Sequence, residues 1–211
     1  MLTIKELAAR VGGLSTPSKM PGFAYGIPAW ECKIGSTLRK RPGSVCSKCY
    51  ALKGMYGFPI VKSAQVRRLE ALSRSDWVEN MIALLRAKYR NRKGRDRVFR
   101  WHDSGDIQSL GHLEKIVAIA KNLPSIKFWL PTKERRIVKD FLSRNSFPAN
   151  LVVRVSAPMI GQRAKSLPGT HSSTVNFSGG RQCPARHQGG ECKNCRACWD
   201  KRIPSVNYPQ H

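Results

Sequence analysis

Apolar residues recur at three- and four-residue spacing from Val61 to Leu72 and again from Asp76 to Tyr89, where Val78, Met81, Ile82 and Leu85 fall on one stripe. That period predicts two amphipathic helices. Ser75 or Asp76 stands where the second helix needs an N-cap, with Glu79 close behind it. A shorter helical pattern opens the chain and runs into a Gly/Ser/Pro/Lys stretch from Gly12 to Gly22. Residues 1–22 therefore read as an arm lying on the body.

Further along, the period changes. Val98-Phe-Arg-Trp101 reads as a strand, His102 to Ser109 as a loop and Leu110 to Lys121 as a helix. The unit then repeats, with a strand at Ile126–Leu130, the segment Pro131-Thr-Lys-Glu134, a helix from about Glu134 to Leu142 and a strand at Leu151–Val155. Repeats of this length suit right-handed crossovers between parallel strands, and they gather the polar loops at one sheet edge, where α/β proteins place their chemistry. With a short first strand near Phe23–Ile27, residues 23–156 form an α/β unit of about four strands. After Ser156 the chain turns to Gly, Pro, Ser, Arg and four cysteines, with little apolar periodicity. Residues 157–211 read as a tail that adds no strand and depends on a bound metal for its stability.

Composition narrows the class. At 211 residues and 41% hydrophobic the chain can bury the core of one domain. Its longest aliphatic or Ala run, Ile116 to Ala120, is far too short to cross a bilayer. The first ten residues carry charges where a signal peptide needs an apolar core, which predicts a cytoplasmic protein. Thiols stay reduced there, so seven close-spaced cysteines point to metal, and an odd number excludes a complete disulfide set.

Cys183, Cys192, Cys195 and Cys198 stand as Cys-x8-Cys-x2-Cys-x2-Cys, with short loops that let neighbouring thiolates face one centre. Zinc and a four-iron cluster both accept four thiolates, and spacing does not choose between them. Cys32, Cys46 and Cys49 form a second array, Cys-x13-Cys-x2-Cys. Three ligands leave one coordination position open, as a catalytic centre requires; a zinc completed by His, or a Cys46/Cys49 pair beside a buried Cys32, is the alternative.

Through Ser18-Lys-Met-Pro-Gly22, Cys46-Ser-Lys-Cys-Tyr-Ala51, His102-Asp-Ser-Gly-Asp106 and Cys195-Arg-Ala-Cys-Trp-Asp200, the whole chain resembles an uncharacterised bacteriophage family called gene product eighty-eight. Residues from about 24 to 156 also resemble the first half of a radical S-adenosylmethionine (SAM) enzyme. That second resemblance implies a partial parallel β/α barrel with a [4Fe-4S] cluster on Cys32, Cys46 and Cys49. It further implies SAM on the open iron and its methionyl amine held by Ser104, Gly105 and Asp106, where the superfamily has a Gly-Gly-Glu turn. Pro131-Thr-Lys-Glu134 falls where a Thr-Asn-Gly turn is frequent, and Arg154-Val-Ser156 where a strand ends in Val-Ser. The chain departs from the usual pattern in its thirteen-residue first gap and in Lys48, which stands where an aromatic touches the adenine; Tyr50 is the substitute.

The balance of 38 Lys+Arg against 13 Asp+Glu gives a formal charge of +25. Dense basic stretches at Lys33–Arg41, Arg86–Arg100 and Arg181–Arg202 predict nucleic acid as partner, held through its phosphates, with Tyr50, Tyr56, Trp101 and Trp129 available for stacking. The leading expectation is an iron-sulfur protein of radical SAM type acting on or binding nucleic acid, its tail holding a second [4Fe-4S] cluster or zinc. Two alternatives accompany it: a non-enzymatic nucleic-acid-binding protein with structural metal centres, and a divalent-metal nuclease built on His102, Asp103 and Asp106. In the simplest case Asp106 only caps a turn or the following helix, and His102 packs beneath the loop.

Overall fold

The computed structural model describes residues 2–210. Seven strands form one all-parallel sheet: β1 (Phe23–Tyr25), β2 (Val98–Trp101), β3 (Lys127–Thr132), β4 (Leu151–Ser156), β5 (His171–Val175), β6 (Arg181–Gln182) and β7 (Ser205–Tyr208). Their order is β1-β2-β3-β4-β5-β7-β6, with β1 and β6 at the two edges, so the sheet is open. The helices are α1 (Ile4–Arg10), α2 (Lys33–Arg39), α3 (Pro59–Ala71), α4 (Trp77–Tyr89), α5 (Leu110–Asn122) and α6 (Arg135–Leu142). The α/β class and the strands β2, β3 and β4 stand where the sequence pattern put them.

Alternation along the strands separates two faces. Tyr25, Phe99, Trp101, Phe128, Leu130, Leu151 and Val153 point to the helices and form one core with Leu7, Val11, Trp77, Met81, Leu84, Leu85, Ile116 and Val138. Val98, Trp129 and Val206 point to the other face, where a smaller core closes over Cys198 and Trp199 of the tail.

Three expectations change. The arm is part of the body: Leu7 and Val11 are buried, Ser15 bridges Ala24 of β1, and the Tyr25 hydroxyl lies 2.7 Å from the carbonyl of Val11. The tail is no strandless appendage. It contributes β5, β7 and β6 to the sheet, with Val155 in register with Ser172 and Ser173 with Val206. These strands escaped the pattern because β5, His-Ser-Ser-Thr-Val, is mostly polar and β6 has two residues. Finally, Asp76 occupies the N-cap position of α4 without capping it. Its carboxylate pairs with Arg10 at 2.7 Å and Arg74 at 2.9 Å instead.

Candidate metal and cofactor sites

The C-terminal ends of β1 to β3 meet the loop that carries Cys32, Cys46 and Cys49. After β1 the chain turns at Gly26-Ile27, and the Ile27 amide donates to the Ser104 carbonyl at 3.0 Å, locking the β1 and β2 loops together. Gly105 sits at φ +80°, and a Cβ there would lie 2.7 Å from the Ile27 carbonyl oxygen. Only glycine satisfies both demands. The Asp106 carboxylate is buried behind that turn: Oδ1 accepts from Thr132 Oγ1 at 2.6 Å and from the Ile107 amide at 2.8 Å, while Oδ2 accepts from the Lys133 amide at 2.8 Å. Burial pushes its pKa up to about 6 despite those donors. The segment Pro131–Glu134 therefore holds the Asp106 turn from β3. Glu134 reaches the other way, its Oε1 accepting from the Ile34 amide at 2.9 Å and fixing α2 beside Cys32.

The three thiols gather at this edge. Gly35 packs so tightly on Cys32 that a Cβ would lie 2.8 Å from the Cys32 Cβ, 3.5 Å from its Sγ and 3.8 Å from the Cys46 Sγ. Burial raises the pKa of Cys32, and the neighbouring Asp106 carboxylate and the other two thiols add to the shift. Burial likewise raises Cys46, with Lys133 opposing and Cys49 adding. Tyr50, next to Cys49, donates its hydroxyl to the Asp103 carbonyl at 2.7 Å, which ties the thiol loop to the β2 loop. Cys32, Cys46, Cys49, Asp106 and Lys133 thus share one neighbourhood, with Tyr50 at its margin.

The nuclease residues diverge. His102, at φ +53°, turns its ring onto His112 of α5 with centroids 5.3 Å apart. The Asp103 carboxylate faces the Tyr56 hydroxyl at 3.3 Å, and Asp106 faces Thr132. Ser109, not Asp106, caps α5, its side chain accepting from the His112 amide.

The four tail thiols are also neighbours. Burial raises Cys183, Cys192 and Cys198, the last to about 12; Cys183 and Cys195 add to the rise at Cys192, and Cys192 and Cys183 to the rise at Cys198. Cys198 Sγ lies 3.1 Å from the Tyr208 hydroxyl at the end of β7. Beneath it Arg154 is fully buried, its guanidinium donating to the carbonyls of Cys198, Ala197, Asp200 and Ile203 in the tail and of Ser172 in β5, at 2.9 to 3.2 Å. Trp199 Nε1 donates to the Phe99 carbonyl at 2.8 Å. An arginine inside Val-Val-Arg-Val, like Arg100 inside Val-Phe-Arg-Trp, was the sequence signal for this face: one charge at an alternate position in an apolar strand.

Among the described residues, no three His, Cys, Asp or Glu side chains converge closely enough to hold a single ion as they stand. The thiols suit thiolate ligation in kind: all seven are free cysteines, soft donors of which six are half-buried and Cys198 is buried. Two of the basic stretches also come together. Arg95 donates to the Asn194 carbonyl, and Arg196 pairs with Asp96 at 3.0 Å and donates to the Arg95 carbonyl at 2.9 Å. The third lies on α2, at the rim of the three-thiol site.

No helix among the described residues is long and apolar enough to cross a membrane. No curated protein and no solved structure matches the chain. The family model described as Gene product 88 matches residues 3–201, which take in both cysteine arrays and every strand but the last. The chain belongs to the Gene product 88 family.

Proposed function

We propose that this chain is an iron-sulfur protein of radical SAM type that acts on or binds nucleic acid. The supporting observation is the meeting of the three-thiol loop with the Ser104-Gly105-Asp106 turn at the C-terminal ends of β1 to β3. Cys32, Cys46 and Cys49 are the ligands of a [4Fe-4S] cluster whose fourth iron is left open. Ser104, Gly105 and Asp106 form the turn for the methionyl amine of SAM, and Tyr50 stands beside it for the adenine. The bound pair would supply one-electron, hydrogen-abstracting chemistry, given an external electron donor.

The residues of the chain have narrower tasks. Asp106 keeps a buried acceptor in place, and Thr132 and the Lys133 amide fix its orientation. An arriving ammonium draws its carboxyl back toward the ionised form, opposing the burial that raises it. Cys183, Cys192, Cys195 and Cys198 hold a second [4Fe-4S] cluster or zinc. The paired basic stretches supply the phosphate-binding face.

Protein purified without oxygen tests the reading through its iron, acid-labile sulfide and zinc content. About eight iron and eight sulfide per chain, or about four of each with one zinc, is the expected result. SAM should then yield 5′-deoxyadenosine under reduction. Zinc alone in fully loaded protein, without SAM cleavage, would transfer the proposal to a non-enzymatic nucleic-acid-binding role.

A further inference from the structure

Between the two thiol groups, on the face of the sheet away from the helices, stands a cation that the cofactor assignment does not use. Arg100 of β2 projects from this face, in register with Ala24 on β1 and Trp129 on β3. Its guanidinium carbon lies 4.6 Å from the centroid of the Trp129 ring, and Nη2 donates to the Tyr50 hydroxyl at 3.1 Å. Nε is buried and has no acceptor, and none of the ion pairs among the described residues includes it. The residue is nonetheless partly exposed.

Its electrostatic neighbours mark the position. Tyr50, Asp103 and Tyr56 belong to the loops of the three-thiol site; Tyr208, which touches Cys198, belongs to the tail. Arg100 also acts on Cys192. The guanidinium is therefore held by a ring below and a hydroxyl beside it, between the two cysteine arrays, with its Nε–H left over and Asp103 as a nearby carboxylate. Two surface hollows lie elsewhere, one around Phe141 and Glu114 and one around Gly12 and Arg67, both on the helical layer.

We infer that Arg100 is a phosphate-binding residue, taking one phosphate of a single-stranded or splayed nucleic-acid substrate into the space between the two cysteine arrays. A guanidinium fork matches a phosphate better than a point charge does, and stacking on Trp129 fixes its plane in advance. The formal charge of +25 supplies the polyanion preference. Arg100 is half-buried and held against Trp129 and Tyr50, and the proposal takes the substrate as a strand end or a displaced nucleotide. This inference deepens the proposed function by locating the substrate relative to the cofactor; its test needs no turnover.

The experiment is fluorescence anisotropy with degenerate twelve-nucleotide single-stranded DNA and RNA, on wild type, Arg100→Met and Arg100→Lys, each at several salt concentrations. Metal content and SAM affinity are measured on the same samples. Arg100→Met is expected to bind about tenfold more weakly, and its log affinity against log salt should be shallower by about 0.7, the share of one phosphate contact on a single strand. Arg100→Lys should recover the salt slope and only part of the affinity. Unchanged binding and slope in Arg100→Met overturn the inference, as does wild type that binds neither oligonucleotide. Loss of metal from Arg100→Met overturns it too, by making the guanidinium a counter-charge to a thiolate centre. Loss of SAM affinity with nucleic-acid binding intact assigns it to the cofactor carboxylate and overturns it likewise. Absent 5′-deoxyadenosine with an Arg100-dependent salt slope would retire the radical SAM reading and leave this one standing.

Discussion

Arg154→Met is the sharpest test of how the tail closes on the sheet. The guanidinium is fully buried, it is in no ion pair among the described residues, and its five donor–acceptor contacts there all go to backbone carbonyls, four of them between residues 197 and 203. Burial lowers its pKa, while Tyr208, Cys198 and Asp200 oppose the shift. Hydrogen bonds from a charged donor contribute about 1.5–3 kcal/mol each, but their sum is not recovered, because the cation also loses its hydration. Deleting one member of such a buried arrangement typically costs about 3–5 kcal/mol, since the abandoned carbonyls stay out of water. Methionine fills much of the volume and leaves that penalty exposed. Lysine keeps the charge but has three donors and no fork, so Arg154→Lys should lose roughly half as much. Urea unfolding at fixed metal content gives the energy, and hydrogen exchange gives the location: amides of β5, β7 and residues 197–203 should lose protection, while α4 and α5 keep theirs. A loss below about 1 kcal/mol with unchanged exchange at β7 would refute the role assigned to Arg154.

Two further predictions concern the β2 loop. Burial depresses His112 from 6.5 to about 3, so its neutral form is built into the fold. The unfolded chain takes up its proton below about pH 6.5, and that stability falls away progressively as pH drops toward 3, by about 2 kcal/mol at pH 5. His112→Gln should flatten the stability curve between pH 7 and 5 by that amount in urea titrations, and parallel curves would show that the imidazole is not what titrates. Gly105→Ala should cost about 3 kcal/mol, combining a φ of +80° with the approach to Ile27, whereas Gly54→Ala, at φ +54° in open space, should cost about 1. Equal thermal shifts in the two variants would count against the close packing of the β1 and β2 loops.

Helices and strands were legible wherever burial is achieved by apolar side chains. β2, β3 and β4 are short, mostly apolar runs buried on both faces and α4 and α5 carry continuous stripes, so their bounds could be read to within a residue or two. β5 and β7 could not, because their polar residues are buried by pairing with one another: Thr174 Oγ1 donates to Asn207 Oδ1 at 2.9 Å, and Asn207 Nδ2 to Gln182 Oε1 at 2.6 Å. A hydropathy pattern cannot register burial achieved through hydrogen bonds. At the site, the radical SAM resemblance carried the expectation that the thiol loop and the Ser104–Asp106 turn are neighbours, and the Tyr50–Asp103 hydrogen bond joins those two loops. A lone arginine in an apolar strand marks Arg100 and Arg154, but the partners of these two, of Thr132 and of Glu134 depend on which strands lie side by side, which nothing local in the chain encodes.

The charges on the tail-side face lead to one more consequence. Arg154 is a buried cation in no ion pair among the described residues, Arg100 a partly exposed one, and near them lie Cys183, Cys192 and Cys198, whose burial favours the neutral form. With these thiols protonated, the two guanidiniums are opposed only through space, by Asp200 at Arg154 and Asp103 at Arg100. Four thiolates around a dication, whether zinc or an oxidised four-iron cluster, would carry a net charge of about −2. The Arg154 guanidinium then becomes its counter-charge, and the protons leave on loading. Arg154 also fastens residues 197 to 203, so the charge that balances the tail centre and the contacts that hold the tail in place reside in one side chain. Removal of metal by a chelator should therefore loosen β7 and residues 197–203 before it disturbs the helical face, and Arg154→Met should bring the metal-loaded protein toward the same exchange pattern. If chelation opened α4 and α5 together with β7, the two cores would be one cooperative unit and this coupling through Arg154 would not hold.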